Sequence, residues 1–340
     1  FMNYYGKGSS QKWQIIQTGV DGTASGSQNC SAGADLPAGA RDVALMLLES
    51  NGPDTNLYKL HVDMHAGGFK VSNYDVGIAE GHGVTFASGL AAQGIRPIAA
   101  IYSTFLQRAY DHIIHDCAIQ HLPVIFCMDR SGIAGEDGPT HHGALDIAYL
   151  RCIQDMIVTA PKNGNEFRHL LYTALNINDK PFSIRYPKAN SVEFDEEGQM
   201  ELLPVGSWET CKQGQDIAIL AVGPMVYTAL SAADKLNDEN LKVEVINCRF
   251  IKPMDTACLV NIKNKFKNII SIEEGTINGG FGDGVASWLL ENGYSGSLKR
   301  LGLPDSYVEH GTRDQILKQL GLDVEGLVLS IEQMVKQKTN

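Results

Sequence analysis

Short apolar runs alternate with segments of helical period from residue 97 to residue 336, and this alternation limits the fold more than any other feature of the chain. The apolar runs are 97–101, 123–128 (P-V-I-F-C-M), 156–160, 182–186, 216–222, 243–247, 269–273 and 298–302. Between them, 105–120 carries a helical period through Leu106, Tyr110, Ile113, Ile114 and Ala118. Segments 84–92, 164–175, 226–236, 259–263, 283–290, 313–320 and 325–336 read as further helices. Strand–helix alternation of this kind builds parallel sheets covered by helices. The expected class is α/β, with two consecutive parallel or mostly parallel sheet domains and flanking helices. The acidic, turn-rich stretch S-V-E-F-D-E-E-G-Q-M at 191–200 interrupts the pattern. It sets the expected domains at 41–190 and 200–340, and a chain of 340 residues has room for two. Residues 42–49 read as a short helix and 57–64 as a strand. Residues 1–40, rich in Gly, Ser, Gln and Asn, read as a poorly ordered lead-in or docking arm.

Composition excludes several classes. The net charge is −11, the wrong sign for a sequence-independent nucleic-acid binder or an anionic membrane surface. A phosphate-bearing ligand must therefore be held by local groups. Seven cysteines without any C-x-x-C read as reduced, mostly buried thiols, with neither a disulfide frame nor a zinc site. No apolar run approaches the ~18 residues of a membrane span, and the first residues show no basic-then-apolar leader. A cytoplasmic protein is expected.

Two segments at the ends of expected strands carry most of the chemistry, the place where α/β sheets bind ligands. In Y-D-V-G-I-A-E-G-H-G-V-T (74–85), Glu80 precedes an apolar helix. Either it is an acid favoured by the helix dipole, or it is a carboxyl that keeps a proton among apolar neighbours and donates it. In M-D-R-S-G-I-A-G-E-D-G-P-T-H-H-G (128–143), Asp129, Arg130, Asp137, His141 and His142 crowd one Gly-rich loop. Adjacent histidines do not easily share a metal. One His with one Asp and one Arg suits substrate binding and proton relay; the alternative is a solvated loop. Arg185 and Lys188 in S-I-R-Y-P-K-A-N follow another apolar run. They suit a phosphate or carboxylate, or form a surface pair on an acidic protein; both readings stand. In Y-S-T-F-L-Q-R-A-Y-D (102–111), Phe105 is either core or a platform for a flat ring. Arg108 in a first helical turn opposes the dipole, which leaves a ligand role open. The G-D-G at 282–284 reads as a loop before a helix, since no Asn follows between 308 and 317.

Taken together, these motifs resemble the 1-deoxy-D-xylulose-5-phosphate synthase family of transketolase-like thiamine diphosphate enzymes. The resemblance runs from about Tyr74 to about Gly321. It rests on D-V-G-I-A-E-x-H, A-I-Y-S-T-F-L-Q-R-A-Y-D, D-R-x-G-x-x-G-x-D-G-x-T-H and R-Y-P in order, then E-E-x-x-x-x-G-G-F-G and V-E-H-G. Family members have three domains. This chain resembles the pyrimidine-binding second and the C-terminal third, and the Mg²⁺–diphosphate site is expected in a first domain without counterpart here, so no metal ligand is expected. The resemblance implies that Glu80 hydrogen-bonds the aminopyrimidine ring of thiamine diphosphate and promotes formation of its ylid. Phe105 and Ile78 would contact that ring. Tyr102, Arg108, Arg130, Arg185 and Lys188 would hold the phosphate of glyceraldehyde 3-phosphate. Asp137 and His141 would contact substrate hydroxyl or carboxylate groups and, with Glu80, form the catalytic set. The implied reaction condenses pyruvate with glyceraldehyde 3-phosphate, releasing CO₂, in isoprenoid and thiamine precursor synthesis. A homodimer, or association with a separate first domain, is implied as well.

Three departures accompany the resemblance. Gly81 and Gly83 stand where the family usually has Gln and Ala, at a cost of roughly 0.8–1.0 kcal/mol each if helical. Lys188 stands where the family has Arg and loses the bidentate fork. The first domain lacks a counterpart. Two alternatives remain: the C-terminal half of a split transketolase or a 2-oxo acid dehydrogenase beta subunit, which share the two domains, and an inactive truncated relative that binds a partner chain.

Overall fold

In a computed structural model of the chain, residues 74–336 are described with their side chains, except 193, 196, 197 and 238–240. Before residue 74 only the backbone of strand segments is given. Of the lead-in expected over 1–40, only strand segments at 2–7, 12–17 and 28–30 are described, and of the strand expected over 57–64 only 61–62; the rest lies outside the described residues. The chain divides into two compact units. One comprises 1–129, 153–157 and 164–203; the other comprises 130–152, 158–163 and 204–340.

The first unit is built on β1 (Asp42–Leu47), β2 (Phe69–Asp75), β3 (Arg96–Tyr102), β4 (Ile125–Asp129) and β5 (Phe182–Arg185). They lie in the order β5-β4-β3-β1-β2, every neighbouring pair parallel. Residues 42–47 are thus a strand and not the helix expected there. A short apolar run such as V-A-L-M-L-L has no period to separate the two states, and a strand paired on both sides in a parallel sheet reads as continuous apolar sequence. Helices α1 (Glu80–Ala92) and α2 (Gly164–Leu175) belong to this unit. So does the helical stretch 103–118, which runs through α, 3₁₀ and π turns. Helix α1 begins four residues earlier than its apolar period suggested. Asp75 accepts the Gly77 N–H at 2.8 Å, and Gly77 adopts φ 62°, a tight turn that leads the chain into the helix. The buried face of α1 is Val84, Ala87, Ser88 and Ala91, and the core beneath the sheet includes Ile98, Leu106, Ile113, Phe126 and Phe182.

In the second unit, β6 (Glu209–Lys212), β7 (Ile217–Ala221), β8 (Val243–Asn247), β9 (Asn268–Thr276) and β10 (Ser297–Leu303) lie in the order β6-β8-β7-β9-β10. All pairs are parallel except β6 with β8. Strands β7, β8 and β9 are buried throughout, which is why their sequences show no polar alternation. Helices α3 (Met225–Asn237), α4 (Thr256–Lys265), α5 (Phe281–Glu291), α6 (Arg313–Gln319) and α7 (Val324–Lys336) accompany the sheet. Val226, Ala229 and Ala233 of α3 pack with Leu327 and Ile331 of α7, Ile219 of β7 and Ile270 of β9. The sequence reading missed β6, the short strand Phe250–Lys252 and the helix Asp146–Arg151. All three are too short for a period to register. The G-D-G at 282–284 lies inside the first turn of α5 and not in a loop. Asp283 accepts the Gly279 N–H and pairs with Arg300, so its carboxylate stabilises the helix entry.

Candidate active site

In the first unit, the candidate residues gather at the carboxyl edge of the sheet. The register sets Tyr102 of β3 beside Asp129 of β4, and Met128 beside Arg185 of β5. Asp129 and Arg185 are both buried. Glu80 is the first residue of α1, where the helix dipole favours a carboxylate. Its side chain is 6% exposed and its Oε1 lies 3.0 Å from Nη1 of Arg108, which is 62% exposed. The Arg108 guanidinium lies 5.2 Å from the centre of the Phe105 ring, within cation–π range. Phe105 stacks on Tyr102 at 5.5 Å and 15°. Carboxylate, guanidinium and two rings thus form one contiguous series, with Arg108 set against Glu80. Ile78 is 67% exposed. Lys188 is half-buried, just beyond β5.

Gly81 acquires a reason in this setting. The His112 imidazole covers it, and a Cβ at 81 would lie 2.9 Å from His112 Cε1. A Cβ at Gly83 would lie 3.2 Å from Val76 Cγ2. The glycine therefore lets a ring approach the helix beside Glu80. Alanine at 81 alone should gain less than its helix propensity, and the Gly81→Ala/His112→Ala pair should restore the gain. A coupling of about 1 kcal/mol is expected, read from urea midpoints of the double-mutant cycle.

In the second unit, the loop 130–143 is closed at its neck. Gly132 and Gly143 exchange backbone hydrogen bonds at 2.9 and 2.8 Å. Arg130, immediately after β4, adopts φ 57°, a left-handed conformation costing of order 1–3 kcal/mol for a side-chain-bearing residue. The turn sends Arg130 across the loop to Asp137, with Nη1 at 2.6 Å from Oδ2. His141 is half-buried, its Nδ1 2.9 Å from Thr140 Oγ1. The neighbouring His142 is buried and turns inward, where its Nδ1 accepts the Ala134 N–H at 3.0 Å. The structure thus brings Arg130, Asp137 and His141 together on one loop, and Glu80, Phe105, Tyr102 and Arg108 together in the other unit.

Beneath the loop lie groups for which the sequence motifs assign no role. Glu274, at the end of β9, is buried. Its Oε2 accepts the Ile133 N–H at 3.2 Å, and its carboxylate pairs with Arg313. A Cβ at Gly132 would lie 2.7 Å from the Glu274 side chain. Glu273 is 1% exposed, and its two oxygens accept the Phe281 and Gly282 N–H groups, each at 2.8 Å. Arg151 donates to the carbonyls of Gly279 and Gly280, both at 2.6 Å. The signal for these residues was a pair of acids ending an apolar strand and followed by glycines. Their partners are backbone atoms far off in sequence, which no local pattern reveals.

Burial, reinforced by the neighbouring His141, pushes the His142 imidazole below the ordinary histidine range against the opposing carbonyls of 308–309. The unfolded chain therefore takes up this proton first. The contribution to stability is complete above about pH 6.5 and is lost as pH falls through the lowered folded value. The urea midpoint should fall between pH 7 and pH 5.5, and by less in His142→Asn. Equal falls in both proteins would contradict this. Cys117, Cys127 and Cys248 are free, buried thiols, and burial pushes Cys127 up to about 12.

Among the described residues no group of three His, Cys, Asp or Glu could hold a metal ion, and no helix is long and apolar enough to cross a membrane. Two domain families match the chain: the transketolase pyrimidine-binding domain over residues 30–192 and the transketolase C-terminal domain over 206–327. With two mostly parallel sheets and a buried acid at the head of α1, the chain belongs to the transketolase family. Within it, the similar curated relatives are 1-deoxy-D-xylulose-5-phosphate synthases. The chain is 48% identical over 263 residues to that of Aquifex aeolicus, covering 77% of this chain and 42% of that protein. It is 50% identical over 250 residues to that of Cyanothece sp., covering 73% and 39%. The chain thus spans about two fifths of the length of these relatives. Among solved structures, a split-gene transketolase described as an inactive beta4 tetramer matches with TM-score 0.72 at 24% identity, covering 86% of this chain and 92% of that one. The transketolase of Leishmania mexicana matches with TM-score 0.63 at 21% identity, covering 79% and 38%. These two likenesses concern the fold.

Proposed function

We propose that the chain supplies the pyrimidine-binding and C-terminal parts of a 1-deoxy-D-xylulose-5-phosphate synthase, which joins pyruvate to glyceraldehyde 3-phosphate with loss of CO₂. The observation that carries this reading is the Glu80 carboxylate, buried at the carboxyl edge of a parallel sheet next to the Tyr102–Phe105 stack. A buried acid beside flat rings suits a protonatable, planar aminopyrimidine, so the residues fit thiamine diphosphate at that end. They offer nothing for its metal, and Mg²⁺ with the diphosphate is assigned to a first domain of the family's kind. When bound, thiamine diphosphate supplies a nucleophilic carbon that adds to the pyruvate ketone and accepts the electrons left by CO₂.

This chain's residues perform the binding and the proton handling. Glu80 holds the proton at the pyrimidine ring nitrogen, and Arg108 orients the Glu80 carboxylate. Phe105 stacks on the ring, with Ile78 at its margin. Arg130, Arg185, Lys188 and Tyr102 receive the phosphate of the aldehyde substrate. Asp137, aimed by Arg130, and His141 meet its hydroxyls and the developing carboxyl-derived charge. Lys188 serves as a point charge and not as a fork. A homodimer, or association with a chain bearing the first domain, completes the site. The split-gene transketolase, of nearly this length, supports a separate partner chain. A cytoplasmic setting, supported by the free, buried thiols of Cys117, Cys127 and Cys248, belongs to the same proposal.

The test is calorimetric titration of thiamine diphosphate with Mg²⁺, first into the chain alone and then into its mixture with a separately expressed first domain. CO₂ release from pyruvate is then measured with glyceraldehyde 3-phosphate. Release that depends on this aldehyde supports the synthase. Ketol transfer between sugar phosphates without CO₂ release would replace it with a split transketolase. No turnover in either assay, with the partner bound, would leave the inactive relative.

A further inference from the structure

Two consecutive backbone N–H groups under the candidate substrate loop are each taken up by a buried side chain. Ile133 donates to Glu274 at 3.2 Å and Ala134 donates to His142 at 3.0 Å. Both lie just before the turn Gly135–Asp137 that carries Asp137. The segment 309–311 meets the same turn. The Gly311 N–H points to the Gly135 carbonyl at 3.5 Å, and a Cβ at Gly138 would lie 3.2 Å from His310 Cβ.

From these contacts we infer that His142 is a positioning residue, a neutral strut that fixes Asp137, and through it Arg130, against the segment 308–311. The inference rests on the proposed role of the loop in binding the aldehyde substrate. A backbone N–H can only donate, so His142 Nδ1 is unprotonated, and the neutral ring carries its proton on Nε2. That nitrogen lies 3.4 Å from the Glu309 carbonyl and donates toward it. The ring therefore spans from the loop backbone to the 308–311 backbone with both nitrogens committed to main-chain atoms. A second proton on Nδ1 would expel the Ala134 amide and leave a buried donor unsatisfied. The charged and titratable groups facing His142 are Asp137 and His141 on the loop, with the carbonyls of 308–309 on the opposing segment and the Glu274–Arg313 pair at the adjacent amide.

The test uses the full chain with His142→Asn and His142→Leu. Asn places its amide oxygen where Nδ1 sits and keeps the acceptor; Leu keeps bulk and loses it. Imidazole ¹⁵N shifts of the parent should report unprotonated Nδ1 and protonated Nε2. The Ala134 amide should exchange roughly tenfold or more faster in His142→Leu, the ratio that one lost hydrogen bond supports, and close to the parent rate in His142→Asn. A protonated Nδ1 in the parent, or equal exchange in both variants, overturns the strut even if the Leu variant folds poorly. With a first domain added, His142→Leu should raise KM for glyceraldehyde 3-phosphate while kcat stays within about twofold, and Asn should restore KM. A fall in kcat alone would overturn the positioning role. Absence of turnover in every protein, the parent included, would count against the synthase reading and leave the strut to the exchange and ¹⁵N data.

Discussion

Glu80→Gln, in the chain supplied with a first domain, is expected to lower CO₂ release from pyruvate by at least about 10²-fold, the lower end of what a positioned acid–base group contributes. Glutamine keeps the shape of the side chain but cannot exchange a proton with a ring nitrogen. The fold should be almost untouched. The lost ion-pair partner, Arg108, is 62% exposed, and such a pair is worth about 0–1 kcal/mol. A urea midpoint close to the parent's, together with lost deuterium exchange at C2 of added thiamine diphosphate, would separate chemistry from unfolding. Turnover within threefold of the parent would remove Glu80 from the mechanism.

The largest effect on stability should come from Glu273→Ala, with an expected loss of about 3–5 kcal/mol. The carboxylate is 1% exposed and receives two amides at the start of α5. Alanine strands both donors and leaves the half-buried Arg151 guanidinium without the charge that faces it. Glu273→Gln should cost roughly half as much, because one oxygen still accepts. Urea unfolding of the three proteins measures this, and a loss below 1 kcal/mol in the alanine variant would show that water or rearranged carbonyls replace the carboxylate.

The parts of the fold legible from sequence were those with a repeating physical signature. Strand β7 (I-A-I-L-A) and the I-F-C-M of β4 are apolar because both faces are covered, and α2, α3 and α7 carry an apolar face at helical spacing. Residues 42–47 failed because the six-residue apolar run 43–48 satisfies either state, and pairing on both sides decides for the strand. In the site, Glu80, Arg130, Asp137 and His141 stood out as charges closing apolar runs. The binding of Arg108 to Glu80 was not legible, since 28 residues separate them. Nor was the inward turn of His142, because the pair H-H reads alike for both rings. Only the Ala134 amide and the Glu309 carbonyl distinguish them.

The division into units bears on how such a protein can be inherited. The chain passes from one unit to the other at 129/130, 152/153, 157/158, 163/164 and 203/204, so no single cut in the gene separates them. A recombination breakpoint in the acidic stretch near residue 200 would transmit β9 and α6 without the loop that folds with them. Glu274 would arrive without the Ile133 amide, and the start of α5 without Arg151. A productive exchange between relatives must carry 130–152 and 158–163 along with the C-terminal half, or else graft that half onto a loop already matched to it. The halves of this chain are therefore a single heritable unit, although the sequence pattern falls in two.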